Sequence, residues 1–189
     1  MNRRAALLLA CLLPAACANL QPRVVDTAQL APGQLGSLIN LDVSAVQQAQ
    51  WAFADSGRTR DRPAEAARAT AAMDYIAGQL YTSPRWANIS ALTKEQLLQG
   101  RAEVRQVLGV VPDAPSQVVV NSLSGAYNAL AAGNEPAAVA ALSNPAFTQS
   151  GEQTLQRLAN LPYIQMANVS TMRAANELFR PDDGGFRTR

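Results

Sequence analysis

The chain has 189 residues, of which 48% are hydrophobic, 5% aromatic and 16% charged. This composition is too apolar for a disordered chain, and the length is typical of one domain. Histidine is absent, which excludes catalytic triads with a His base, His-ligated metal sites and imidazole pH switches. Alanine, which favours helices, makes up 36 of the residues, so the composition predicts a helical protein without indicating a reaction.

The N-terminus has the pattern of an export signal. Arg3 and Arg4 precede an apolar run over residues 5–13. This run is shorter than the about 20 residues that a membrane-spanning helix needs. A basic start followed by a short apolar run is typical of a signal peptide, which we expect to cover residues 1–16.

The end of this signal contains a cysteine after small residues. Ala15 and Ala16 immediately precede Cys17, with Pro14 one position earlier. The arrangement resembles the lipobox of bacterial lipoprotein precursors, a family that usually has Leu where this chain has Pro14. The resemblance implies cleavage before Cys17 and acylation of that residue. Ordinary secretory cleavage after Ala16 or Ala18 is the alternative.

The same resemblance implies a location in the bacterial cell envelope. Cys11 would leave with the signal, so Cys17 would be the only thiol of the mature chain and could form no intramolecular disulfide. In lipoproteins of this class an Asp directly after the Cys favours retention in the inner membrane, and this chain has Ala18 there. We therefore expect a lipid anchor on the periplasmic face of the outer membrane.

Charge excludes one class of partner. The full sequence has 16 Lys and Arg against 14 Asp and Glu, and removal of Arg3 and Arg4 with the signal would balance the two. Nucleic-acid binding needs a basic surface that displaces counterions, so no nucleic acid is expected as a partner.

Residues 17–40 have the composition of a tether. Pro22, Pro32, Gly33 and Gly36 interrupt regular structure. The segment also has too many apolar residues for a pure spacer, and part of it is expected to pack onto the body. These residues are Val24, Val25, Leu30, Leu35, Leu38 and Ile39.

The rest of the chain predicts a compact all-α bundle of about seven helical elements over residues 41–179, followed by a loose tail over 180–189. Asp42 is expected to cap the first helix, Thr93 with Gln96 to form a capping box, and Gly109 to end the third helix. No alternating strand pattern is present. The predicted helices cover residues 43–53, 63–81, 94–108, 114–134, 135–142, 152–159 and 163–179.

The fourth of these segments carries no charge at all over residues 114–134. Its apolar stripe consists of Val119, Leu123, Ala126, Tyr127 and Leu130. Polar residues interrupt the run, so the pattern favours a buried central helix over a membrane span. Its small residues could also line a cavity for a ligand.

Two groups of residues are candidate contacts for a partner or ligand. Arg58, Arg60 and Arg62 could bind phosphate or a carboxylate-rich polymer such as cell-wall peptide. A solvated loop between two helices is the alternative interpretation.

Tyr81, Arg85 and Trp86 form the second group, and could be an aromatic platform with a cation. The alternative is a cluster that seals the edge of the core. No pattern indicates a catalytic residue, a metal site or a cofactor.

These observations favour a membrane-anchored envelope lipoprotein whose helical body is a non-enzymatic docking or structural module. The expected partner is another envelope protein or the cell wall. The alternative is a helical carrier for an apolar small molecule in the periplasm. An enzyme that uses Asp, Glu, Arg or Tyr is the third possibility.

Overall fold

The computed structural model of the protein describes residues 24–30, 33 and 40–180. The predicted signal peptide, Cys17 and residues 181–189 of the predicted tail lie outside the described residues. Within the described ranges the chain forms seven α-helices and no β-strand, which confirms the prediction of an all-α fold. The helices are α1 (Leu41–Phe53), α2 (Pro63–Thr82), α3 (Ala91–Leu108), α4 (Ser116–Ala131), α5 (Glu135–Leu142), α6 (Gly151–Ala159) and α7 (Gln165–Leu178).

Helix α2 is the centre of the bundle. It contacts α1, α3, α4 and α6, and 13 of its 20 residues are buried. Pro63 lies in the first turn of this helix, where a main-chain N–H would have no partner within the helix, so proline loses no hydrogen bond there. Six of these 13 buried residues are alanines, which let neighbouring helices approach closely. The largest fully buried side chains on this helix are Met73, Ile76 and Leu80.

Two predicted helix starts are wrong. The N-cap of α1 is Asn40, whose side chain accepts the Val43 amide, and Asp42 lies inside the helix with its carboxylate turned to other partners. The N-cap of α3 is Ser90, whose hydroxyl accepts the Thr93 amide at 3.2 Å. Thr93 is therefore a helical residue, not the cap.

The end of α3 agrees with the prediction. Gly109 is the C-cap, with φ of 71°, in the left-handed region that glycine enters without steric cost. The chain then turns through residues 110–115 into α4. This turn brings the N-terminus of α4 beside the last turns of α3.

The uncharged segment forms α4, and its predicted stripe faces the core. Val119, Leu123 and Ala126 are fully buried, while Tyr127 and Leu130 are partly buried against the same core. Helix α4 packs on α2 and α5. No helix in the described part of the chain is both long and apolar enough to cross a membrane.

Candidate functional site: the strap and its groove

The segment that precedes the bundle is bound to it. Residues 24–30, called the strap below, lie in no helix or strand. Ala28 and Leu30 are buried in the main core, which agrees with the expectation that part of the tether packs onto the body. The surface that holds the strap, called the strap groove, is formed by Gly78 on α2, Arg101 and Arg105 on α3, and Ser116 and Gln117 on α4.

An ion pair lies at the base of this groove. Arg105 Nε donates to Asp74 Oδ2 at 2.6 Å, and Arg105 Nη2 donates to Asp74 Oδ1 at 2.8 Å. The Asp74 side chain is only 2% exposed and that of Arg105 12% exposed. Burial alone would lower the pKa of Arg105, but the hydrogen bond and charge of Asp74, with the charge of Asp26, outweigh it and raise that pKa. Arg105 is therefore a fixed cation that ties α3 to α2.

The same guanidinium also organises the start of α4. Arg105 Nη1 donates to the Ala114 carbonyl at 2.9 Å, and Nη2 donates to Ser116 Oγ at 2.8 Å. Arg101 Nη1 donates to the same hydroxyl at 3.1 Å. Two arginines therefore converge on Ser116, the first residue of α4, where the helix dipole adds positive potential.

The strap places a carboxylate at this cationic point. The Ser116 amide donates to Asp26 Oδ2 at 2.5 Å, and Arg101 Nη1 donates to the Asp26 main-chain carbonyl at 2.9 Å. An acidic side chain at a helix N-terminus satisfies an amide that would otherwise have no partner in the helix. Asp26 thus caps a helix that begins 90 residues later in the sequence.

Two further contacts hold the strap through its main chain. The Gln117 side-chain amide accepts the Gln29 N–H at 2.8 Å and donates to the Gln29 carbonyl at 3.0 Å. Gly78 allows close approach, because a Cβ there would lie 2.7 Å from the Asp26 carbonyl oxygen and 3.0 Å from Thr27 Cα. Neither contact depends on the side chain of the bound residue.

Two depressions flank the strap groove. One, of about 520 Å³, lies beside Val24, Val25 and Asp26. The other, of about 560 Å³, lies beyond the strap and has Ala102, Gln106 and Val110 in its walls. Both are lined by Leu98, Arg101, Arg105 and Pro112. The groove is therefore continuous with an open surface that the strap does not fill.

The predicted arginine group does not converge on one site. Arg58 Nη1 donates to the Trp51 carbonyl at 2.7 Å, and its guanidinium lies 5.6 Å from the centre of the Trp51 ring. Arg60 is exposed on the turn between α1 and α2, and Arg62 is the exposed N-cap residue of α2.

The predicted aromatic group is divided between two contacts. Tyr81 donates its hydroxyl hydrogen to Glu95 on α3 at 3.0 Å. Trp86 is buried, and the Arg85 guanidinium lies 4.9 Å from its ring centre. Arg85 and Trp86 therefore lie against each other, while Tyr81 contacts another helix.

Trp86 also belongs to a polar cluster that sequence reasoning missed. The two oxygens of the buried Asp42 accept the Tyr75 hydroxyl and, at 2.8 Å, Trp86 Nε1. Burial, the hydrogen bond to Asp42 and the Asp42 charge all raise the pKa of Tyr75, and the charge of Arg85 opposes them. A depression of about 500 Å³ lined by Asp42, Tyr75 and Arg85 opens above the cluster. The cluster joins α1, α2 and the turn over residues 84–86.

In the described ranges, no group of three or more Cys, Asp or Glu side chains is placed to hold a metal ion. Comparison with known proteins found no matching family model, no similar curated protein and no similar solved structure.

Proposed function

We propose that the chain is a membrane-anchored lipoprotein of the bacterial cell envelope, and that its helical body is a non-enzymatic docking module. Acylated Cys17 would attach it to the periplasmic face of the outer membrane. The observation that carries this proposal is the strap. The segment that follows the acylation site is itself bound to three helices of the body, through Gly78, Arg101, Ser116 and Gln117.

The strap limits how far the body can stand from its anchor. Val24 is 95% exposed, whereas Val25 already packs against the core. Eight residue steps separate Cys17 from Val25. A chain spans at most about 3.6 Å per residue, so the bound strap would keep this edge of the body within about 29 Å of the lipid. The strap groove and its two depressions would then face the membrane-proximal space.

The chemistry of the groove suits binding more than proton transfer. The raised pKa of Arg105 keeps its guanidinium charged, and the group is already bonded to Asp74, Ala114 and Ser116. A group that is always charged cannot act as a general base near neutral pH. These contacts support a positioning role for the groove.

Mass spectrometry of the mature N-terminus tests the anchor. We expect a first residue at Cys17 that carries acyl chains, because stable anchoring needs more than one chain. A free thiol at Cys17, or an N-terminus elsewhere, would contradict the anchoring half of the proposal.

Site-specific photocross-linking in cells tests the docking half. A photoreactive residue at exposed Gln106, on the wall of the larger depression, should cross-link to one reproducible envelope component. The matched control is exposed Ala137 on α5, which lines neither depression. Equal cross-linking at both positions, or none at Gln106, would contradict docking at the groove. The Cys17→Ser chain should lose the cross-link while remaining folded.

The carrier for an apolar small molecule remains the alternative function. It would need a cavity beside the uncharged stripe of α4. Val119 and Leu123 are instead fully buried, and a Cβ at Gly125 would lie 3.4 Å from Ala141 Cβ, so α4 and α5 are already in contact there. These contacts favour a packing role for the stripe. An apolar ligand seen by native mass spectrometry of the gently purified chain would favour the carrier.

A further inference from the structure

We propose that the strap groove is a peptide-binding groove, and that the strap is its internal occupant. A segment of the docking partner with an Asp in the place of Asp26 would displace the strap. The segment would have a small residue and an apolar residue in the places of Ala28 and Leu30. This inference rests on the proposed docking function and names the kind of segment that docks.

The first support is that the groove binds the main chain of its occupant. Gln117 pairs with both the N–H and the carbonyl of Gln29, and Arg101 donates to the Asp26 carbonyl. A side-chain amide that pairs with both polar groups of one residue recognises a peptide whatever its sequence. The lack of a Cβ at Gly78 lets that main chain lie directly on α2.

The second support is that one side chain is selected by charge. Asp26 is exposed apart from its contact with the Ser116 amide, at a helix start flanked by Arg101 and Arg105. We therefore expect any replacement for the strap to carry a carboxylate as well, since a neutral segment would leave the Ser116 amide, at this positive helix start, without the acceptor that Asp26 supplies.

The third support is the space next to the strap. The depression of about 560 Å³ shares Leu98, Arg101 and Arg105 with the strap side of the groove. An incoming segment can contact this surface before the strap leaves.

The same space favours a partner protein over a second copy of this chain. A strap from another copy would make only the contacts that the internal strap already makes. A partner segment can gain more by also filling the depression that the described residues leave open.

Fluorescence anisotropy with a labelled peptide of residues 24–30, Val-Val-Asp-Thr-Ala-Gln-Leu, tests the groove in the full mature chain. Asp26→Asn weakens the internal strap, so this chain should bind the peptide about tenfold more tightly than the parent chain does. Asp113→Asn is the matched control, because Asp113 lines the depression of about 520 Å³ together with Asp26. This variant should bind the peptide as weakly as the parent chain does. The same peptide with Asn in place of its Asp should lose about tenfold in affinity for the Asp26→Asn chain.

A second measurement does not depend on the Asp26 variant. Hydrogen exchange of the parent chain with excess peptide should deprotect the Gln29 amide and leave α2 protected, and Gln117→Ala should abolish peptide binding. No saturable binding to a folded Asp26→Asn chain, with unchanged Gln29 protection in the parent, would overturn the inference. Dimers of Asp26→Asn would assign the groove to a second copy and overturn it as well. If cross-linking at Gln106 continues in either of these two cases, the docking function stands and only the proposal of a peptide-binding groove is rejected.

Discussion

Helix α2 and the strap both pack on the same bundle, but different forces hold them. Helix α2 is buried over most of its length among apolar side chains. The strap buries Ala28 and Leu30 and packs Val25 only partly against the core, and it is otherwise held by Asp26 and by hydrogen bonds at the edge of the groove. The stabilising free energy of apolar burial increases with the area removed from water. An exposed hydrogen bond replaces a bond to water, and so it contributes only about 1 kcal/mol to stability. The strap can therefore be released at a cost that would leave the core folded.

The largest expected effect comes from a charge in the core. Leu123→Asp places an unpaired carboxylate on the fully buried stripe of α4, and should cost about 5 kcal/mol or unfold the chain. Val118→Asp is the matched control, because it makes a similar change on the same helix at a position that is 40% exposed. Urea unfolding compares the two. Equal midpoints would show that α4 is not the apolar support of α2.

The next effect tests the ion pair that joins α2 to α3 beneath the strap groove. Asp74→Ala leaves Arg105 without its ion-pair partner and should cost about 3 kcal/mol, since a buried guanidinium would lose its counter-charge. The double variant Asp74→Leu with Arg105→Met should regain most of this loss, because it removes both charges together. Thermal unfolding measures both variants. A double variant less stable than the single one would mean that the pair supports α4 through Ser116 more than it joins α2 to α3.

A smaller effect is expected from a change that releases the strap and leaves the core folded. Gly78→Ala puts a methyl group 2.7 Å from the Asp26 carbonyl, so the strap must move away. The same change favours the helix by up to about 1 kcal/mol, so global stability should change by less than that. Limited proteolysis should cut the strap faster in this variant at an unchanged thermal midpoint. A thermal midpoint that falls in parallel with the faster cleavage would contradict independent release of the strap.

The smallest effect concerns a partly exposed group of hydrogen bonds between the end of α7 and the start of α3. Glu177 near the end of α7 accepts the Ser90 amide at 2.7 Å, and the Ser90 and Thr93 hydroxyls at 2.8 and 2.7 Å. Burial alone would raise the pKa of Glu177, but these bonds and the charge of Arg180 outweigh it and lower that pKa. Glu177→Gln should cost about 0.5 kcal/mol at pH 7, because Gln keeps one oxygen as an acceptor and Glu177 is partly exposed to solvent.

The pH dependence of this joint has a definite sign. Because the pKa of Glu177 is lower in the folded chain, its contribution is complete above the unfolded value of about 4.5 and is lost as pH falls through the folded value. The difference in stability between the parent and Glu177→Gln should therefore shrink on acidification. A difference that is constant from pH 7 to pH 2 would show that the carboxylate charge contributes nothing there.

The fold was predictable from local patterns, and the groove was not. Seven helices and the buried stripe with Val119 and Leu123 follow from periodicity within each segment. Capping was less predictable, because Thr93 and Ser90 both carry a hydroxyl near the start of α3. Asp42 has the chemistry of a cap, but Tyr75 and Trp86, 33 and 44 residues away, take its carboxylate.

The groove also depends on residues that are far apart in the sequence. Asp74 and Arg105 are 31 residues apart, and Asp26 is 90 residues from Ser116. Each of these residues looks like an ordinary surface charge or turn residue in its own segment. The one available signal was the surplus of apolar residues in the tether, which predicted packing but not its partners. Predicting the partners would have required the packing of α2, α3 and α4 in advance.

The alanines of α2 have a consequence for how the protein can be probed. Six of its buried positions, Ala66, Ala67, Ala69, Ala71, Ala72 and Ala77, already carry the residue that truncation scans introduce. An alanine scan would therefore report almost nothing along the most central helix of the molecule. Enlargement is the informative change here, because close-packed interiors resist added methyl groups at a cost of about 1–3 kcal/mol. The loss of stability on replacing each of these alanines by valine should therefore show which positions of α2 lie in tight contact with another helix.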